Sequence, residues 1–378
     1  MPELELAEVF PAGDFIREER EARNWTQGDL AQIMGTTVQT VNALESESPR
    51  GLTPDMAQAV GQAFGTGPQY WMNLETLYRL SRVEEPRQDV ARRAAIFNKA
   101  PVKDMIRRTW IKDTKDANEL EEEIVSFFCL ESIGDAPEFL AAARKSTRYD
   151  STTSGQMAWY YRSRHLASTL HVETFTKKRF TSGLLELRQL ATAPEESRRV
   201  AEVLANMGVR FVVVEALPKT KIDGVAFWLD KRKPCIALSL RYDRIDWFWH
   251  TLGHELGHIA SGDALNTIDT DLVGNDKRRD QSEEEVIADD FAASLTVPQD
   301  KLNSFIKRVR PLYSKSRINQ FANLIGVHPG IVVGQLQFRD EIGYSHSRET
   351  LAKVRREITS SALTDGWGSV LQIKYSST

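Results

Sequence analysis

The chain has almost no cysteine. Cys129 and Cys235 are the only two in 378 residues, far apart in the chain and each in apolar company. That excludes a disulfide framework and reads as two buried thiols in a reducing compartment. No stretch comes near the run of about 18 apolar residues that a membrane-crossing helix needs. The opening Met1-Pro-Glu-Leu-Glu-Leu6 lacks both the basic region and the apolar core of a secretory signal. These absences point to a cytoplasmic protein with no membrane partner. An excess of positive charge is also missing. The 49 Lys and Arg face 53 Asp and Glu, a formal net charge of −4, so global charge does not announce a nucleic-acid binder. What is present is 41% hydrophobic residues, enough core for two or three domains.

Histidine is scarce as well, and that makes its distribution informative. Of the seven histidines, three fall within Trp247-Phe-Trp-His-Thr-Leu-Gly-His-Glu-Leu-Gly-His258. His254 and His258 flank Glu255 in an H-E-x-x-H. On a helix the two imidazoles lie one turn apart on one face, a spacing that can bind a single Zn²⁺. Glu255 is placed to act as general base toward water. Phe248, Leu252, Leu256 and Ile259 recur at near-helical spacing. Gly253 and Gly257 weaken that helix but leave room for something packed closely against it. His250 lies one turn earlier and reads as a residue behind the ligands or as helix packing. A third ligand is expected downstream, in the helix-like run Glu283-Glu-Glu-Val-Ile-Ala-Asp-Asp-Phe-Ala-Ala293. Glu285 and Asp289 share a face there, as a ligand and an orienting carboxylate would. Glu284 and Asp290 compete for these roles, and the acidic run could also be a solvated helix face.

The run H-E-L-G-H, followed by E-x-x-A-D-x-F-A-A-x-L-x-V-P from Glu285 to Pro298, resembles the ImmA/IrrE family of metallopeptidase domains. The resemblance covers about residues 195–340. It implies a small gluzincin-like fold and cleavage of a regulatory protein. It also implies that His254, His258 and Glu285 bind zinc while Glu255 is the catalytic base. That family commonly has Asn where this chain has Asp289.

The N-terminal stretch reads as short capped helices. Thr26 is a cap with Asp29 three residues on, Leu30 and Ile33 face the core, and Gly35 turns the chain. In the preceding helix Phe15, Ile16 and Ala22 point inward. The next helix would be a recognition helix presenting Thr37, Gln39, Thr40 and Asn42, residue types that read bases or touch phosphate. Thr53-Pro54 and Pro68 start two more helices. The sequences W-T-Q-x-D-L-A, V-Q-T-V-N, G-L-T-P and A-F-G-T-x-P-Q-Y-W, within residues 11–80, resemble the Xre/HigA-type helix-turn-helix of antitoxins and repressors. That implies a DNA operator, a toxin or repressor partner, and a homodimer by analogy with the class. One feature departs from it. Residues 1–83 hold six Arg, no Lys and twelve acidic residues, and Glu45-Ser-Glu-Ser-Pro-Arg50 replaces the basic segment expected past the recognition helix. Phosphate neutralisation supplies most non-specific DNA affinity, so this domain would bind weakly, as a dimer, or to protein.

The expected fold class is mainly α, with a small α+β zincin-like (gluzincin) domain and an N-terminal five-helix bundle. The expected domains are 1–80, a helical linker at 81–195, the peptidase-like domain at 196–345, and a peripheral helix and tail at 346–378. In the linker, aromatics interleaved with Arg162, Arg164 and Lys177–Arg179 could serve single-stranded nucleic acid, or be core beside a solvated face. Val209–Glu215, Gly224–Leu229 and Cys235–Leu240 read as strands laid before the zinc helix. The expected function is a DNA-binding regulator with a zinc-dependent endopeptidase domain. The alternative is a regulator whose zinc domain is a sensor with little turnover.

Overall fold

The structure is a computed structural model that describes residues 9–46, 51–82, 88–134, 153–262, 269–270 and 283–367. The chain forms two compact units, Met1–Ala91 and Arg92–Thr378. Among the described residues, no helix is long and apolar enough to cross a membrane.

The first unit consists of α1 (Ala12–Ala22), α2 (Gln27–Met34), α3 (Val38–Glu45), α4 (Pro54–Phe64) and α5 (Pro68–Ser81). Local chemistry sets most of the boundaries. Thr26 and Asp29 form a reciprocal capping box, and Thr37 and Thr53 cap α3 and α4. Gly35 and Gly65 end their helices in the left-handed region, at φ 65° and 73°, where a side chain would be strained. Ile16, Leu30, Val41, Val60, Phe64 and Trp71 make the core. Two expectations fail here. Ile33 is 49% exposed and Ala22 is exposed. On α1 the inward position is taken by Arg20, which α3 neutralises through Glu45.

The second unit is built on a five-stranded sheet, in the order β4-β2-β3-β1-β5. The strands are β1 (Arg210–Val213), β2 (Ile222–Trp228), β3 (Pro234–Leu238), β4 (Asp269–Thr270) and β5 (Leu363–Thr364). β1 runs parallel to β3 and β5, and β2 runs antiparallel to β3 and β4. Alternation along the strands divides their side chains between two cores. Phe211, Val213, Ile236 and Leu238 join one core with the helix that carries the H-E-x-x-H. Val212, Val214, Cys235 and Ala237 join the other, with Ile96, Met105, Leu120, Ile124 and Trp159. Both faces are covered, which is why the strands read as continuous apolar runs.

This arrangement corrects the expected boundaries. The helices α6 (Gln88–Lys99), α7 (Val102–Arg107), α8 (Ala117–Phe127) and α9 (Ser154–Thr169) contribute to the layer on one face of the sheet. They are not a separate linker domain. Trp159 Nε1 donates to Val214 O at 2.7 Å, and Tyr160 packs edge-on against Phe227. Trp159, Tyr160 and Tyr161 are buried, so these rings offer no stacking platform for bases. The segment after 345 is not peripheral either. It supplies β5, and Val354, Ile358 and Ala362 lie in the core. Cys129 is exposed, contrary to expectation. Cys235 is buried, and burial pushes its thiol up to about 12. The sequence reads Phe139 and Leu140 as apolar helix positions and 149–155 as a polar loop; Phe139, Leu140 and 149–152 lie outside the described residues, while Thr153 caps α9.

Candidate functional site

The H-E-x-x-H lies on α12 (Ile245–Ser261), between the sheet and the rest of its core. Most of this helix is buried, including His254, Glu255 and His258. The downstream acidic run forms α13 (Glu283–Thr296). Here Glu285 is buried, while Glu284 and Asp290 are exposed. A Cβ on Gly253 would stand 2.9 Å from Ala292 Cα, and one on Gly257 would stand 2.9 Å from Ala288 Cα. The two glycines therefore let the helix backbones approach closely. That approach carries Glu285 to the histidines.

His254, His258 and Glu285 converge, with one ligand-type atom from each within 4.8 Å of the others. His254 Nε2 lies 3.1 Å from His258 Nε2 and 3.2 Å from Glu285 Oε2. His258 Nε2 lies 3.8 Å from Glu285 Oε1. Asp289, one turn along α13, reaches His254 Nδ1 at 2.9 Å. A carboxylate only accepts, so the ring donates from Nδ1, which turns Nε2 toward Glu285 and His258. His250 Nε2 stands 3.8 Å from Asp289 Oδ1, behind the three converging side chains. Burial lowers its pKa to about 4, so the ring is neutral at pH 7. Glu255, next to His254 on α12, reaches toward β2. There a side chain on Gly224 would collide with its Oε1. The sequence carries no signal for Gly224, because the contact joins a strand to a helix some thirty residues later.

Gly257→Ala tests the close packing. In an open helix this change would stabilise by about 1 kcal/mol. Against the backbone of Ala288 we expect it to cost about 1–3 kcal/mol through overpacking. Thermal unfolding reads the sign, and a raised melting temperature would overturn the packing argument.

His328 serves the fold. It caps α16 (Pro329–Phe338), its Nδ1 accepting from Gly330 N at 3.1 Å.

On the first unit, Gln39 and Asn42 are exposed on α3, and Thr37 is exposed at its start. Thr40 is half-buried. The Thr37 hydroxyl accepts from Thr40 N and contacts the Thr40 hydroxyl at 2.9 Å, so both threonines are engaged in the cap. Glu45 is not a solvent-facing charge. Its Oε1 accepts from Arg20 Nε at 2.6 Å, and its Oε2 from Arg20 at 3.2 Å and from Gln27 Nε2 at 2.9 Å. Glu45, expected past the recognition helix, is thus the last residue of α3 and internally neutralised.

No solved structure matches this chain. The uncharacterized HTH-type transcriptional regulator YddM of Escherichia coli (strain K12) is 28% identical over 82 residues, which is 22% of this chain and 86% of that protein. The helix-turn-helix family matches residues 16–71. These lie on α1 to α5, and the N-terminal unit is a helix-turn-helix domain.

Proposed function

We propose that the chain is a DNA-binding transcriptional regulator whose second unit is a zinc-dependent endopeptidase of the ImmA/IrrE type, acting on a regulatory protein. The helix-turn-helix match and the resemblance to an HTH-type regulator support the first part. The convergence of His254, His258 and Glu285 carries the second.

The donor set fits zinc. In a tetrahedral shell with bonds of about 2.0–2.2 Å, neighbouring donor atoms stand about 3.3–3.6 Å apart. His254 Nε2 stands 3.1 Å from His258 Nε2 and 3.2 Å from Glu285 Oε2, close to that spacing, while His258 Nε2 is 3.8 Å from the other Glu285 oxygen. With Nδ1 donating to Asp289, His254 presents Nε2 to the Glu285 carboxylate and to His258 Nε2, where a cation would be shared by all three. When bound, zinc supplies Lewis acidity, making water more acidic and polarising a carbonyl. Glu255, adjacent to His254, would take up the proton at a carboxylate oxygen. Asp289 would hold the His254 ring in the required tautomer.

Elemental analysis of the purified chain tests this, with about one zinc per chain expected. No zinc, and none taken up on titration, would remove the peptidase reading and leave the regulator. The complete burial of His254 and Glu255 favours a second reading, a metal sensor with little turnover. Glu255→Gln separates the two, because only a peptidase loses a measurable activity.

For the DNA arm, Gln39→Ala with Asn42→Ala should relax sequence choice, since a good bidentate base contact is worth about 1–3 kcal/mol of discrimination. Competition binding between selected and random duplexes measures it. If the double variant keeps full discrimination, α3 is not the reading element.

A further inference from the structure

The second unit gathers cations at one end of its sheet. There β2 and β3 are joined by the turn Asp230-Lys231-Arg232-Lys233, closed by Lys233 N donating to Asp230 O at 3.0 Å. α10 (Lys177–Leu190) opens at the same end with Lys177, Lys178 and Arg179. Two rings hold the segments together. Phe175, two residues before Lys177, packs edge-on against Trp228, three residues before Lys231, with centroids 5.5 Å apart. β1 brings Arg210 alongside Cys235. Lys233, the Arg232 amide and Arg210 hold the Asp230 carboxyl below the usual carboxylate range, which puts Arg210 in the same field.

All six cations of the two segments are exposed. Two carboxylates accompany them, Glu173 paired with Arg179 and Asp230 paired with Lys233. Among the described residues, Lys177, Lys178, Lys231 and Arg232 have no carboxylate partner. The fold gains nothing from this crowding of like charge. Cations in the first turn of a helix also oppose its macrodipole, where an anion would be favoured by about 0.3–1 kcal/mol. A polyanion laid on the face reverses both effects.

We propose that this face binds the phosphate backbone of duplex DNA, a second DNA contact outside the helix-turn-helix unit. The inference rests on the DNA-binding reading above. Residues 1–83 hold six Arg, no Lys and twelve acidic residues, while neutralised phosphates supply essentially all non-specific affinity. The cations that the helix-turn-helix unit lacks are therefore carried by the second unit. Single strands are held by stacking bases on accessible rings. Here Phe175 and Trp228 are half-buried against each other, and Tyr160 is buried, so the face offers charge without a stacking platform. Contacts to phosphate position a protein on DNA and carry no sequence information, so this face adds affinity while α3 reads bases.

Fluorescence anisotropy of the full chain with a labelled random-sequence duplex, read from about 50 to 200 mM salt, tests the face. Each phosphate contact contributes about 0.9 to the slope of log affinity against log salt. Lys177→Gln with Lys178→Gln, and separately Lys231→Gln with Arg232→Gln, should each flatten the slope by about 1–2. Each pair should weaken selected and random duplexes by the same factor. Lys219→Gln with Lys221→Gln removes equal charge beyond the other end of β2 and should leave the slope within about 0.5. The two test pairs lie on different elements, so one serves if the other does not fold. A natural chain that binds duplex while both test pairs keep its slope overturns this face and leaves the DNA-binding reading standing. Equal flattening by the Lys219 and Lys221 pair overturns it too, because net charge alone then explains the effect. A single strand bound more tightly than the duplex overturns the choice of partner. No binding to any duplex at the lowest salt overturns both the face and the reading it rests on.

Discussion

Glu285→Ala is expected to lower zinc affinity by about 10²–10³-fold. Structural zinc sites with four protein ligands bind with about 10–16 kcal/mol at neutral pH, so one ligand is worth roughly 3–4 kcal/mol. Glu285 is one of three converging donors and is 7% exposed, so water replaces it poorly. Competition against a chromophoric chelator measures the loss. Three companion variants make the result specific. Glu255→Gln should keep zinc within a few-fold, while cleavage of the protein substrate falls about 10²–10⁴-fold, the usual contribution of a positioned general base. Asp289→Ala should cost about 10–100-fold in zinc affinity. Asp289→Asn should restore most of that, because an amide oxygen still accepts from His254 Nδ1. Wild-type zinc affinity in Glu285→Ala would sink the ligand set, whatever else the unit does.

Glu45→Ala should destabilise the helix-turn-helix unit by about 3–5 kcal/mol, the range for breaking one side of a buried ion pair. Arg20 would keep its bond to Trp25 O at 2.8 Å but lose its two bonds to the carboxylate. Gln27 would lose its acceptor too. A domain is stable by only about 5–15 kcal/mol, so the loss is a large fraction of the total. Hydrogen exchange of the amides across residues 12–81 reads it directly in the full chain. Protection should fall by roughly two to four powers of ten. Replacing both partners, as Arg20→Met with Glu45→Leu, should recover much of it, because no buried charge is then left alone. Unchanged protection in Glu45→Ala would show that the pair is not what holds α1 to α3.

Much of this molecule is written in short-range chemistry. Thr26 with Asp29, Thr37, Thr53 with Pro54, and Gly35 each set a helix boundary through groups three or four residues apart. That spacing is visible in one chain because the backbone imposes it. The same holds for His254 with His258 and for Glu285 with Asp289. Each pair lies one turn apart, so a helix puts each pair on one face before any tertiary contact exists. The apolar runs at 209–215 and 235–240 are legible as strands for a similar reason.

What only the tertiary structure decided is which faces meet. Gly253 and Gly257 show in the sequence as room for a close neighbour, but only packing identifies that neighbour as Ala292 and Ala288. Arg20 reads as one more surface charge until α3 brings Glu45 to it. Ile33 carries the right period for the core and is left outside, because α2 turns Leu30 and Ala31 inward. The helices after residue 91 look like a free-standing linker, and the sheet claims them because both of its faces are apolar. Leu363 and Thr364 join β1 from the far end of the chain, a pairing made by backbone groups that every residue carries. Side-chain period records which face of an element is buried. It carries no record of the partner, since burial against any apolar surface gains nearly the same free energy.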